Sequence, residues 1–116
     1  MRGRVCGEKS SSSQVLAWVE DLNEDDFGQV AFRVRRLAEE GPLLGEPYTR
    51  QLDGKLRELR FFLGRQRFRI TYYIASGRRI IRLTVFYKTK TRETAEVDRA
   101  RRAMRDCIAA GHTAED

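Results

Sequence analysis

Residues 55–87 read KLRELRFFLGRQRFRITYYIASGRRIIRLTVFY and carry the clearest structural pattern in the chain. It divides into three strand-like segments, 55–63, 67–75 and 79–87, in which apolar and polar residues largely alternate. Two connections of three residues separate them, and each connection contains a glycine. Short connections with glycine are typical of antiparallel hairpins. The stretch therefore predicts three consecutive antiparallel strands.

Helical patterns flank these strands on both sides. Before them, apolar residues recur at helical spacing over 14–22 and again between Asn23 and Gly41. Asn23 is placed to cap the second helix, which ends at the glycine. Residues 41–54 are rich in Gly and Pro and are predicted to form a loop. After the strands, the pattern indicates a final helix over 92–110.

The order of elements, (β)ααβββα, predicts an α+β fold. A helical hairpin and a C-terminal helix would pack on an antiparallel sheet of three to four strands. The first strand, around residues 4–6, is weakly signalled. A length of 116 residues fits a single domain over 1–116, with residues 1–13 and 111–116 loosely ordered.

Several classes of protein are disfavoured by composition. The chain has no apolar run long enough for a transmembrane helix, and no apolar segment of a secretory signal follows its basic N-terminus. We therefore expect a cytoplasmic protein without a membrane partner. Its two cysteines, Cys6 and Cys107, lie far apart, and a cytosolic setting argues against a disulfide between them. A single histidine and no CxxC pair argue against a zinc site.

The positive charge is concentrated in one part of the sequence. Residues 55–105 carry 16 of the 23 Lys and Arg against four acids, which gives a local net charge of +12. Residues 1–54 and 106–116 each come to −3. A field of this strength on one part of a small fold attracts polyanions, of which nucleic acid is the commonest.

Five segments carry a family resemblance. They are VLAWVEDL at 15–22, LDGKLRELR at 52–60, FRITY at 68–72, VFYKTK at 85–90 and ETAEVDRA at 93–100. In this order they resemble the RelE/ParE superfamily, the toxins of bacterial type II toxin–antitoxin systems, and within it the HigB-like, phage-derived branch. The resemblance covers about residues 14–108.

The resemblance implies an mRNA interferase, which is an endoribonuclease that needs neither metal nor cofactor and cuts mRNA in the ribosomal A site. It also implies a cognate antitoxin, which in many relatives is a helix-turn-helix protein. Carried over position by position, the resemblance implies five catalytic residues: Arg60 and Arg69 on the strands, and Lys88, Lys90 and Arg92 in the basic cluster between the last strand and the last helix. Asp98 stands where some members carry a tyrosine early in the final helix, so the general base of that branch has no counterpart here.

The chemistry of these residue types suits RNA. The 2′-OH is RNA's own nucleophile, so a cleavage site has to align it, stabilise negative charge on phosphorus and move protons. Arg69, on a central strand, suits a phosphate clamp but stays protonated and is no base. Lys88 or Lys90, in a crowd of positive charge, is a candidate proton shuttle.

RNA contacts are predicted on the same strands. Because side chains alternate between faces, Arg60, Arg69 and Arg82 are expected to share the face opposite the main core. Tyr73 or Tyr87 would stack on a splayed base. The candidate RNA-binding residues are Arg67, Tyr73, Arg82 and Tyr87.

Two further hypotheses stay open. One is a ParE-like gyrase poison, which binds a protein and cleaves nothing. The other is a catalytically inactive, nucleic-acid-binding relative, which the departure at Asp98 keeps possible. Inhibition of DNA replication before translation would favour the first, and unimpaired growth with retained RNA binding would favour the second.

Overall fold

A computed structural model of the protein describes residues 3–5, 12–89 and 94–110. In chain order the elements are β1 (Gly3–Val5), α1 (Ser12–Glu20), α2 (Glu24–Glu40), a 3₁₀ turn (Gly41–Leu43), β2 (Thr49–Asp53), β3 (Leu56–Leu63), β4 (Gln66–Ala75), a second 3₁₀ turn (Ser76–Arg78), β5 (Arg79–Tyr87) and α3 (Thr94–Ala109). The predicted α+β class and the predicted order of elements are confirmed.

The strands form one sheet in the order β1-β5-β4-β3-β2. The three predicted strands are β3, β4 and β5, and they pair antiparallel as expected. β2 was not predicted, because it is a short edge strand of mostly exposed polar residues inside the Gly- and Pro-containing stretch 41–54. β1 pairs parallel with β5, so part of the segment 1–13 is ordered by the sheet. The predicted loose segment 111–116 lies outside the described residues.

The helical hairpin of α1 and α2 covers one face of the sheet. Asn23 caps α2 as predicted, because its Oδ1 accepts the backbone N–H of Asp26 at 2.8 Å. Gly41 ends α2 with a φ of 55°, a conformation that favours glycine. The buried core on this face comprises Val30, Leu37, Leu44, Leu59, Phe61, Leu63, Ile70, Tyr72 and Ile80. We call this side of the sheet the hairpin face.

α3 packs on the opposite face. Its Ala100, Ala103 and Cys107 form a second core with residues of β3, β4 and β5, among them Tyr73 and Leu83. The helix covers only one half of this face, toward the C-terminal end of β4 and the beginning of β5. The other half is the region in which the basic residues lie.

Cys107 was correctly predicted to be a core residue, since it is only 1% exposed. It is disulfide-bonded, however, contrary to the expectation drawn from a cytosolic setting. That expectation concerned the redox compartment, which the residues themselves do not encode. The sequence's other cysteine, Cys6, lies outside the described residues.

Candidate functional site

Three cross-strand rows make up the half of this face that lies beyond the α3 core. They are Glu58–Thr71–Thr84, Arg60–Arg69–Phe86 and Phe62–Arg67–Lys88. Lys88 follows β5 and continues its register, because its backbone N–H donates to the carbonyl of Arg67 at 2.7 Å. Residues opposite each other in neighbouring strands share a face. We call this surface the open face.

A buried carboxylate organises the arginines of the open face. Glu58 and Arg69 are each only 3% exposed, and Arg69 Nε lies 3.5 Å from Glu58 Oε2. Arg60 Nε lies 3.7 Å from the same oxygen, and its side chain is 28% exposed. A further bond runs from Arg69 Nη1 to the carbonyl of Phe68 at 3.1 Å. One carboxylate therefore forms ion pairs with two guanidinium groups, at distances longer than those of charge-assisted hydrogen bonds.

The other two residues in the row of Glu58, Thr71 and Thr84, are polar and fully buried. The hydroxyls of Thr71 and Thr84 are 2.5 Å apart, and the backbone N–H of Thr84 donates to Thr71 Oγ1 at 3.0 Å. These contacts satisfy hydroxyls that would otherwise be costly to bury. The arginines thus lie next to a buried pair of hydrogen-bonded threonines and not on an apolar core.

A cleft of about 320 Å³ opens beside this layer. Its lining comprises Arg33, Pro47, Tyr48, Arg60, Phe61, Phe62, Arg67 and Arg69. Four of the eight residues are arginines, and they come from α2, β3 and β4. Tyr48 is held at the rim by the guanidinium of Arg36, which lies 4.3 Å from its ring centroid. The cleft therefore combines a concentrated positive charge with aromatic walls.

The structure brings together four of the residues singled out from sequence. Arg60, Arg67, Arg69 and Lys88 occupy adjacent positions on the open face. Lys90 and Arg92, which the family resemblance adds to this set, lie outside the described residues.

Arg82 does not belong to this group, and the expectation that it shares a face with Arg60 and Arg69 is wrong. The register of β4 and β5 shifts after the Thr71–Thr84 pair, so that Tyr72 is opposite Arg82. This β-bulge turns Arg82 to the hairpin face, on which Tyr72 lies. Partial burial there lowers the pKa of the Arg82 guanidinium, because its charged form loses solvation.

Neither predicted stacking tyrosine lies on the open face. Tyr73 is 1% exposed beneath α3, with its hydroxyl donating to Cys107 Sγ at 3.2 Å, so no base can stack on it. Tyr87 is exposed, but it is opposite Phe68 in the register and packs edge-on against that ring, 6.1 Å between centroids. Phe68 in turn contacts Trp18 of α1 on the hairpin face.

Four residues of the site were not predicted as such from sequence. Phe62 is an exposed aromatic residue, 57% accessible, directly opposite Arg67. Its place among the polar positions of the β3 alternation was the available signal. Glu58 was signalled similarly, as an acid on the same strand face as Arg60. Arg33 and Tyr48 carried no local signal, because they reach the cleft only through packing of α2 and the loop before β2.

This arrangement can bind a phosphate-bearing ligand. Arginines offer paired N–H donors that match phosphate oxygens, and Arg69 lies beside the carboxylate of Glu58 and donates to the carbonyl of Phe68. Over the described residues, no group of three or more His, Cys, Asp or Glu side chains is placed to hold a metal ion. Likewise, none of the helices in the described part of the chain has the length and apolar character that a bilayer span requires.

Comparison with known proteins identifies the family. No curated protein matches the chain. The profile of the family described as "Phage derived protein Gp49-like (DUF891)" matches residues 17–105, which is most of the sequence. This family comprises toxins of toxin–antitoxin systems and is associated with RelE-like toxins, so an antitoxin partner is implied. The chain therefore belongs to the phage-derived Gp49-like family of toxins.

Proposed function

We propose that this toxin is a ribosome-dependent mRNA endonuclease that inhibits translation, in the manner of the HigB-like branch. The observation that carries the proposal is the cleft in which Arg60, Arg67 and Arg69 converge beside Lys88. A ribose-phosphate chain is the polyanion that best fits an arginine-lined cleft with aromatic walls.

The three arginines differ in accessibility, and we assign their roles accordingly. Arg69 is almost fully buried and forms the floor of the cleft, where Glu58 orients its guanidinium. Arg60 is partly exposed and Arg67 is exposed, so they meet the phosphate backbone first. A fixed cation at the floor stabilises the charge that develops on phosphorus without having to reorganise during the reaction.

The protein has to supply only part of the chemistry of RNA cleavage, because the nucleophile belongs to the RNA. The 2′-oxygen of RNA attacks the adjacent phosphorus, the bond from phosphorus to the 5′-oxygen breaks, the 2′-OH loses its proton and the 5′-oxygen gains one. Arginine cannot accept the proton. Lys88, and the Lys90 and Arg92 positions assigned by the resemblance, remain our candidates for proton handling and for contacts to the leaving group.

The small number of catalytic groups at the site explains the proposed dependence on the ribosome. The described part of the site has no histidine pair of the kind that efficient free ribonucleases use. Binding of mRNA in the decoding site would supply the alignment of the 2′-OH, which is worth several orders of magnitude in rate when the geometry is near that of attack. The site of action would then be the cytoplasm.

The test is mRNA cleavage in a purified translation system, mapped by primer extension. The wild-type protein is expected to cut mRNA only when programmed ribosomes are present. Arg60→Ala and Arg67→Ala, at partly exposed and exposed positions, are expected to reduce the cleavage rate by about tenfold or more, because each removes a charge-assisted phosphate contact. Arg69→Ala is expected to abolish cleavage.

Arg102→Ala is the matched control, because Arg102 is exposed on α3, away from the cleft. Circular dichroism would verify that each variant is folded, which matters most for the buried Arg69. Unchanged cleavage by folded Arg60→Ala and Arg67→Ala proteins would refute the site. Arrest of DNA replication with intact mRNA would instead identify a gyrase poison, and binding of RNA without cleavage or toxicity would identify an inactive relative.

A further inference from the structure

β2 leaves part of the β3 edge uncovered. The last register pair between the two strands is Thr49–Leu59, and one more hydrogen bond follows, from the N–H of Arg60 to the carbonyl of Tyr48 at 2.8 Å. β3 continues to Leu63. Among the described residues, no segment pairs with this last part of β3 on the side away from β4.

The backbone of Phe62 faces this uncovered edge. Along a strand, the main-chain N–H and C=O groups of successive residues point alternately to the two neighbouring strands. The N–H of Arg60 points toward β2, so the N–H and C=O of Phe62, two residues further, point the same way. An uncovered edge of this kind is a template for another extended chain.

The arginine cleft wraps around the same edge. Its lining includes Arg60 and Phe62 from the open face together with Phe61, whose side chain belongs to the hairpin face, and Arg33 of α2. A cleft lined from both faces of a sheet lies along a strand edge and not on a face. A chain that enters it would contact cations on both sides.

The positive charges of the arginines at this edge favour an acidic ligand. Neither Arg33 nor Arg67 forms an ion pair with any other residue in the described ranges, and Glu58, which lies among the arginines of the open face, is buried against Arg69. An acidic chain would complement these two cations, which no carboxylate of the described residues neutralises.

We propose that an extended acidic segment of the antitoxin adds to the sheet along β3, in line with β2, and pairs with the backbone of Phe62. Side chains of an extended chain alternate between faces, so neighbouring acids would meet Arg67 on the open face and Arg33 on the hairpin face. The segment would occupy the cleft and exclude RNA. Only this last consequence rests on the proposed nuclease function; the binding itself does not.

Other occupants fit less well. A helix saturates its own backbone groups and cannot pair with a strand edge. A second copy of this chain would bring the same arginines, and like charges across an interface are unfavourable. An extended acidic polypeptide satisfies both the backbone groups and the cations.

The probe is a capped octapeptide, Thr-Glu-Glu-Thr-Thr-Glu-Glu-Thr, in which adjacent glutamates point to opposite faces of a strand. Binding would be followed by fluorescence anisotropy, and backbone amide exchange of the complex by NMR. We expect the Phe62 amide to be protected at least about tenfold more on binding, as a newly formed ladder hydrogen bond requires. A peptide with lysine in place of glutamate should not bind.

Two variants at one position isolate the backbone contact. Phe62→Pro removes the outward N–H and is compatible with an edge strand, whereas Phe62→Ala removes the ring and keeps the N–H. The Pro variant is expected to bind the peptide about tenfold more weakly than the Ala variant, the loss for a strand-addition contact. The exchange of β4 amides verifies that the sheet is intact in both.

Charge reversals test the two sides of the edge. Arg33→Glu and Arg67→Glu are each expected to weaken peptide binding about tenfold, whereas Arg102→Glu leaves it unchanged. No binding at about 1 mM peptide, a threshold for even weak affinity, would overturn the inference. Binding without protection of Phe62 would overturn it as well. Peptide binding by a protein that cleaves no mRNA would overturn the nuclease proposal alone, and cleavage without peptide binding would overturn this inference alone.

Discussion

The face of the sheet that carries α3 has two halves with opposite chemistry. Under the helix, Tyr73, Ile81 and Leu83 form a closed apolar core. Beyond the helix, the same β3 and β4 present Arg60 and Arg69 around a buried Glu58. Burial is almost as complete at Glu58 and Arg69 as under the helix, but it is burial of charge.

The difference separates two contributions of this face, one to fold stability and the other to ligand binding. Burying apolar surface stabilises a fold directly, whereas a buried ion pair loses in desolvation much of what it gains by attraction. A small domain has little core to spare. The retention of a charged layer beside a compact core is therefore better explained by ligand binding than by stability.

The largest stability effect is expected in the covered half. Leu83→Ala removes a fully buried side chain beneath α3 and is expected to lower the free energy of unfolding by about 4 kcal/mol, because it loses apolar burial and leaves a cavity. Chemical denaturation measures the loss. A change below about 1 kcal/mol would mean that α3 does not close this half of the sheet.

The open half is tested by breaking its ion pair from one side and then from both. Glu58→Leu leaves Arg69 buried without its carboxylate and is expected to cost about 3 kcal/mol in unfolding free energy. Replacing both residues by leucine is expected to recover most of that loss, because two well-packed apolar side chains replace two buried charges. Denaturation curves of the two variants give the comparison.

The same double variant separates stability from function. It should be folded and should no longer cleave mRNA or bind a phosphate-rich ligand. If the double variant is as unstable as Glu58→Leu alone, the charged layer is a structural element and the contrast between the two halves disappears.

The smallest effect on stability is expected at the rim of the open half. Arg67 is exposed and forms no ion pair with other described residues, so Arg67→Ala is expected to change the unfolding free energy by less than about 0.5 kcal/mol. It should still weaken RNA binding and reduce the salt dependence of that binding, because one phosphate contact is lost. An unchanged salt dependence would place Arg67 outside the RNA path.

Much of this architecture could be read from the sequence. The alternation over 55–87 located β3, β4 and β5 within about a residue, and the capping position of Asn23 located the start of α2. These features depend on neighbours in the chain, where periodicity and capping act. β2 was missed for the same reason, since its pairing with β3 depends on a distant strand and leaves little local pattern.

The candidate site was predictable only in part. Arg60 and Arg69 were correctly placed on the same face of the sheet. β3 and β4 are joined by a short hairpin and alternate regularly, so residues opposite each other lie on the same side. Arg82 was misplaced because β5 has one extra residue at the bulge. The residues of β5 before the bulge therefore point to the face opposite the one that simple alternation predicts. No local sequence pattern indicates that bulge.

The chain's own order of residues determined the α+β class, the helical hairpin, the three central strands and the concentration of positive charge, because each arises from short-range periodicity and composition. Packing in three dimensions was needed to place α3 over half of one face, to bury Glu58 against Arg69, and to bring Arg33 and Tyr48 to β3 at the edge that β2 leaves unpaired. Those outcomes depend on register and packing between elements distant in sequence, where a shift of one residue changes which side chains meet.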